Sequence, residues 1–149
     1  MSIQLVVKSD SLTKTRSNSP VWGQVYLQGD GYAFPAPGWT DIAAGFCLYW
    51  IQALQKIEVD RAQSVCFMDG PYKVTMRLVT DDSVELNMLE CRARDQVRQK
   101  AIGSLQELLQ GAVFNAQNIL RTAEQNRWID GDIKALASIL ADIKLRYML

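Results

Sequence analysis

Four short strings in this chain set reactive residue types at spacings that chemistry can use. Ser11-Leu12-Thr13-Lys14 has the Ser-x-x-Lys pattern, in which a lysine one helical turn after a serine takes its hydroxyl proton. That pairing needs the serine at a helix start and a desolvated lysine. Here the string lies in a polar stretch, Ser9 to Ser19, with no apolar run after it, so it reads as a chance match. Asp69-Gly70-Pro71-Tyr72 offers one carboxylate, which by itself holds a divalent ion poorly, and a turn between strands accounts for the same residues. Asp130-Gly131-Asp132 lacks the later ligand positions of a calcium loop and reads as a helix cap. Gly29-Asp30-Gly31 is followed by neither Gly-Lys-Ser/Thr nor dinucleotide-binding spacing, so it is a turn. No metal or cofactor is expected.

The chain of 149 residues contains no histidine. That removes the usual general base near neutral pH, the Ser-His-Asp and Cys-His mechanisms, and the commonest transition-metal ligand. Lys+Arg and Asp+Glu both number 16, so net charge draws the chain toward neither nucleic acid nor an anionic membrane. The densest basic cluster, Arg92, Arg94, Arg98 and Lys100, is diluted by Glu90 and Asp95 and reads as a solvated helix start. Cys47, Cys66 and Cys91 are an odd, widely spaced set within apolar or strand-like segments, which suits buried free thiols. The first residues lack the charged start and apolar core of a signal peptide, and no run approaches a membrane span. A cytoplasmic protein is expected.

Periodicity gives the elements that would position these residues. Ile3, Leu5 and Val7 alternate as a strand, Val21 to Gln28 reads as a second, and Tyr32 to Phe34 as a short third. Thr40 or Asp41 would cap a helix whose apolar stripe runs through Phe46, Tyr49, Trp50 and Leu54, with Asp41, Gly45, Gln52, Gln55 and Lys56 on its other side. Gln63 to Met68 is a strand, and Tyr72 to Leu78 pairs with Val84 to Met88 as a hairpin. Opposed residues must share a face, so the loop is Thr80-Asp81-Asp82 and Arg77 stands opposite Glu85. A helical pattern from about Arg94 to Gln125 includes Val97, Ala101, Ile102 and Leu105; at about 45 Å it must break near Gly111 or project. A last helix carries Ile133, Leu136, Leu140, Ile143 and Tyr147. The fold class is α+β in a single domain, residues 1–149. An antiparallel sheet of five to six strands with one packed helix occupies 1–92, and a C-terminal helical hairpin occupies 93–149.

The string Tyr32-x-Phe34-Pro35-x-x-Gly38-Trp39-x-Asp41, an apolar helix carrying Trp50, and Phe67-x-Asp69-Gly70-Pro71-Tyr72 resembles small bacterial proteins of uncharacterised function, some in polymorphic-toxin immunity neighbourhoods. The resemblance spans roughly the first 90 residues and implies a cytosolic α+β protein that binds another protein, with no catalytic residues. The expected function is an immunity-type inhibitor that covers the charged active site of a cognate toxin. Its candidate partner-binding residues are Asp30, Trp39, Asp69, Tyr72, Asp81, Asp82 and Glu85. Two alternatives are a self-assembling adaptor dimerising through the C-terminal helices, and a small-molecule binder or unusual enzyme with a pocket between sheet and helix lined by Tyr32, Trp50 and Tyr72.

Overall fold

The computed structural model describes residues 3–147 as two four-stranded antiparallel sheets and three helices. In the first sheet β2 (Trp22–Gly29) is central. It pairs along one edge with β1 (Gln4–Val7), and along the other with β3 (Tyr32–Phe34) and β4 (Thr40–Ile42). Asp30-Gly31 closes the β2–β3 hairpin, with Gly31 in the left-handed region at φ 79°. The second sheet is a meander of β5 (Ala62–Cys66), β6 (Tyr72–Leu78), β7 (Ser83–Cys91) and β8 (Asp95–Ser104).

Helix α1 (Ala43–Lys56) lies between the sheets and the other two helices, α2 (Leu105–Asn126) and α3 (Gly131–Tyr147). Ten of its fourteen residues are buried, which fits a helix apolar almost all round rather than one lying on a single sheet. Phe46, Trp50, Ile51 and Leu54 are fully buried, and one continuous core joins them to the inner face of the second sheet, Val74, Met76, Val84, Leu86 and Met88. Gly45 lets the start of α3 come close: a Cβ there would sit 3.2 Å from Asp132 Oδ2 and 3.1 Å from Ile42 Cγ2.

The β6–β7 hairpin has the expected register, with Arg77 opposite Glu85 and Leu78 opposite Val84. Arg77 Nη2 lies 3.3 Å from Glu85 Oε2. The strands at Gln4–Val7, Trp22–Gly29, Tyr32–Phe34 and Ala62–Cys66 also lie where periodicity placed them.

Several expectations are corrected. There are two sheets, not one: among the described residues β1 to β4 pair only with one another and β5 to β8 likewise, and a short strand at Thr40–Ile42 completes the first. Asp41 is therefore not a helix cap on a polar face but a fully buried strand residue, and α1 begins after Ile42 without a side-chain cap. Gly45 is buried, because α3 packs on that side of α1, and Tyr49, expected on the apolar stripe, is exposed. The segment from Asp95 to Ser104 is strand β8, not helix, so the basic cluster lies on a hairpin and an edge strand, and Val97 and Ile102 are exposed. Beyond β8 the chain forms one unbroken helix of about 33 Å that passes through Gly111. Cys66 is exposed and Cys91 half-buried, which leaves only Cys47 as a buried thiol. The stretch after β1 is not wholly exposed: Leu12 is buried, and Lys14 Nζ, 5% exposed as a side chain, reaches Asp130 Oδ1 at 3.3 Å. On α3, Ile133, Leu136, Leu140 and Ile143 are buried as the spacing required, while the Tyr147 side chain lies outside what the structure describes.

Helix α2 ends on Arg127, whose φ of 58° is left-handed, and whose N–H donates to the carbonyls of Ala123 and Glu124. A side chain with Cβ is strained there, and glycine is the usual residue. Arg127→Gly is expected to raise the unfolding free energy by about 0.5–1 kcal/mol, the relief of strain exceeding the added freedom of the unfolded chain. Denaturant unfolding measures this; equal or lower stability would contradict it.

Candidate interaction surface

The arrangement is built around Asp41. Its Oδ1 accepts from the N–H of Ile42 at 2.7 Å and of Met68 at 3.2 Å. Its Oδ2 accepts from Trp39 Nε1 and from the N–H of Asp69, both at 3.1 Å. Four donors thus converge on one buried carboxylate, and two of them belong to the turn after β5. A strand of the first sheet is thereby fastened to a turn of the second, with all four donors satisfied by a fully buried acceptor.

An aromatic ladder runs inward from this corner. Trp39 meets Tyr72 edge-on, with centroids 5.3 Å apart, and Tyr72 meets Phe34 edge-on at 5.7 Å. Phe34 contacts Phe67 at 6.0 Å, Phe67 stacks on Phe46 at 4.2 Å, and Phe46 stacks on Trp50 at 6.1 Å. The outer pair is half-buried and the inner four rings are buried. Gly70, at φ 81°, is the residue the outer pair presses on: a Cβ there would lie 3.0 Å from Tyr72 Cε2 and 3.2 Å from Trp39 Cη2. Side chains rarely adopt that φ, so both conformation and space call for glycine.

Beside Tyr72 stands a charged group. Glu90, opposite Tyr72 in the β6–β7 register, accepts hydrogen bonds from Arg92 Nε and, at 3.0 Å, from Arg98 Nε. Arg92 foremost and Arg98 next hold the Glu90 carboxyl below the usual carboxylate range. The guanidinium of Arg92 is raised mainly by Glu90, with a small contribution from Tyr72. A tryptophan, a tyrosine and two arginines therefore meet at one end of the second sheet, next to exposed Asp69. These are the side-chain types that dominate protein-binding hot spots.

The seven predicted partner-binding residues do not form one surface. Trp39, Asp69 and Tyr72 are brought together at this corner. Asp81, Asp82 and Glu85 belong to the opposite end of β6, roughly 20 Å away along the strand. Asp30 sits exposed on the β2–β3 turn, where it helps burial to raise the Tyr32 phenol. Glu85 is engaged by Arg77. Asp82 caps α2 across the chain: its Oδ2 accepts from Ser104 Oγ at 2.6 Å and its Oδ1 from the N–H of Gln106 at 3.0 Å. Ser104 Oγ in turn accepts from the N–H of Glu107 at 3.2 Å.

Sequence reasoning missed Asp41, Glu90, Arg92 and Arg98. The Phe67-to-Tyr72 string was visible, but nothing local says that Asp41 reaches its amides. The arginines fit a helical spacing in the sequence, and only the pairing of β8 with β7 places them beside Glu90.

The Ser-x-x-Lys pair and two of the three thiols are disarmed. Ser11 Oγ donates to the Lys8 carbonyl and accepts from the N–H of Gln24, while Lys14 is turned to Asp130, so the Ser-x-x-Lys pair is not assembled. Burial pushes the Cys47 thiol up to about 12, and burial followed by Asp95 pushes Cys91 up, away from the thiolate. Trp50 is buried, so it offers no wall to a ligand pocket. Among the described residues, no three of His, Cys, Asp and Glu gather to hold a metal, and no helix is long and apolar enough to cross a membrane.

Comparisons with protein-family models, with curated proteins and with solved structures return no match.

Asp82 supplies a measurable pH effect. The Ser104 hydroxyl first and the Gln106 amide second hold its carboxyl below the ordinary value. A depressed folded pKa gives stability that is present above about pH 4 and lost as pH falls through the folded value. Asp82→Ala is expected to cost about 1 kcal/mol at pH 7, the usual loss on removing a helix cap. The gap from the unmodified protein should narrow below about pH 4. Thermal unfolding across pH 2–8 checks this; a gap that does not change with pH would contradict it.

Proposed function

We propose that this chain is a protein-binding protein without enzymatic activity, a cytoplasmic immunity-type inhibitor that occludes the active site of a bacterial toxin. The observation that carries the reading is the Trp39–Tyr72 pair, held half-exposed by Asp41 and Gly70 and flanked by Asp69, Glu90, Arg92 and Arg98. The rings cannot swing away, so docking against them loses little side-chain entropy, and the flanking charges set register and partner choice. The family resemblance points the same way. The apolar stripe of α3, which suggested dimerisation, is already buried against α1 and α2 within one chain, so self-assembly is not carried further.

The reading expects the tagged chain to recover a stoichiometric partner with a toxic domain from its source, and co-expression with that domain to restore growth. Tyr72→Ala and Arg92→Ala should each weaken the complex by roughly thirtyfold, a hot-spot loss of about 2 kcal/mol. Phe114→Ser, at an exposed position on α2, should leave it unchanged. Recovery of the chain alone, as a dimer, would overturn the proposal.

A further inference from the structure

Helix α2 turns one ridge away from the rest of the chain. Its buried residues, among them Leu108, Leu109, Ala112, Ala116 and Ile119, lie on the side packed by α1, α3 and β1. At about 100° per residue, Glu107, Phe114 and Arg121 all point within about 30° of the opposite direction. The three are exposed, Phe114 by 63%.

The fold itself has no use for three features of this ridge. A phenyl ring stands at its middle, facing water. Gly111, one turn earlier, is a helix-interior glycine without a left-handed φ, and a Cβ there would meet nothing within 4 Å. Such a glycine costs about 1 kcal/mol relative to alanine. Glu107 and Arg121 carry opposite charges seven residues before and seven after Phe114. Neither forms an ion pair among the described residues, and Arg121 Nη1 donates to Asn118 Oδ1 at 2.9 Å.

A second copy accounts for all three. Where two α2 helices lie antiparallel about a two-fold axis at Phe114, residues equally far before and after it face each other. Glu107 of each copy then meets Arg121 of the other, Gln110 meets Asn118, and the two Phe114 rings meet on the axis, with Gly111 leaving room beside them. The remaining charge of α2, Glu124, faces no acid. A parallel pair would instead set Glu107 against Glu107 and Arg121 against Arg121. Seven-residue spacing is also the seam of a left-handed helix pair. Equal spacing of opposite charges about one ring is what a two-fold axis demands and an unrelated partner does not.

We propose that the chain forms a two-fold homodimer through the outer ridge of α2, the helices antiparallel and meeting at Phe114, with Glu107 of each copy paired to Arg121 of the other. The α3 stripe, buried within the chain, takes no part. The ridge is narrow, so the dimer belongs to the weak class of interfaces. It uses no residue of the Trp39–Tyr72 corner and stands or falls separately from the protein-binding reading.

The test is sedimentation equilibrium of the full chain from about 1 μM to about 1 mM, the range of weak complexes. The mass should rise from 16.8 kDa toward twice that value. Phe114→Glu should weaken association by about thirtyfold or more, since both copies lose the ring and two acids meet on the axis. Glu107→Arg and Arg121→Glu should each weaken it about tenfold, because two ion pairs become two like-charge contacts. The double variant exchanges the charges and should return to within about threefold of the unmodified chain. Gly111→Leu should weaken association while raising the unfolding free energy of the single chain, since leucine favours helix and only the facing copy lacks room for it. A mass of 16.8 kDa throughout, association indifferent to Phe114→Glu, or a double variant no tighter than the single ones would overturn the proposal. Monomeric Phe114→Glu should still capture a partner of the Trp39–Tyr72 corner, so loss of the dimer with capture retained, in the unmodified chain, refutes the dimer alone.

Discussion

The structure depends on one buried carboxylate. Asp41 joins two sheets that share no strand, by accepting two amides from the turn after β5 and the indole N–H of Trp39. Hydrophobic contact alone would let the sheets slide, because burial is non-directional. A charged acceptor with four fixed donors has one arrangement, and removing it would leave those four donors without their common partner. The Gly70 turn, the seat of Tyr72 and the half-exposed attitude of Trp39 all depend on that arrangement.

The aromatic ladder carries this constraint inward. Six rings in successive contact connect the corner to the centre of α1, where Trp50 is fully buried. Interiors this closely packed have low compressibility, so one ring cannot shift without moving its neighbours. The outer rings are therefore fixed presenters of surface, which suits recognition of a preformed partner. The second sheet turns its other face to solvent, with Thr75, Arg77, Glu85 and Asn87 on it and β8 at its rim.

Much of this was legible in the residues, for identifiable reasons. The hairpin register came from the rule that opposed side chains share a face, and Arg77 with Glu85 obeyed it. Trp50 and the α3 stripe were legible because burial tracks the helical period. The failures share a cause, which is that the deciding contact is distant in sequence. Val97, Ala101 and Leu105 fit a helix as well as a strand, and only pairing with β7 settles the matter. β8 lacks a clear alternation because Asp95 to Lys100 is exposed on both faces. Asp41 looks like a cap because Thr-Asp before an apolar run is a cap signal, whereas two of its four partners lie 27 and 28 residues further on. Of the candidate surface, Trp39, Asp69 and Tyr72 were found from their types. The acids at the Thr80-to-Asp82 loop were not distinguishable, in sequence, from acids used to cap a helix.

The most direct test of Asp41 as the fastener between the sheets is the unfolding free energy of Asp41→Asn. The substitution keeps size and polarity but turns one acceptor into a donor facing Trp39 or the turn amides. A loss of about 3 kcal/mol or more is expected, because at least two donors lose a charged acceptor and the new amide donor sits at a fully buried position. A loss within about 0.5 kcal/mol, the range of an ordinary surface substitution, would show that the sheets are held together without Asp41 and would contradict that role.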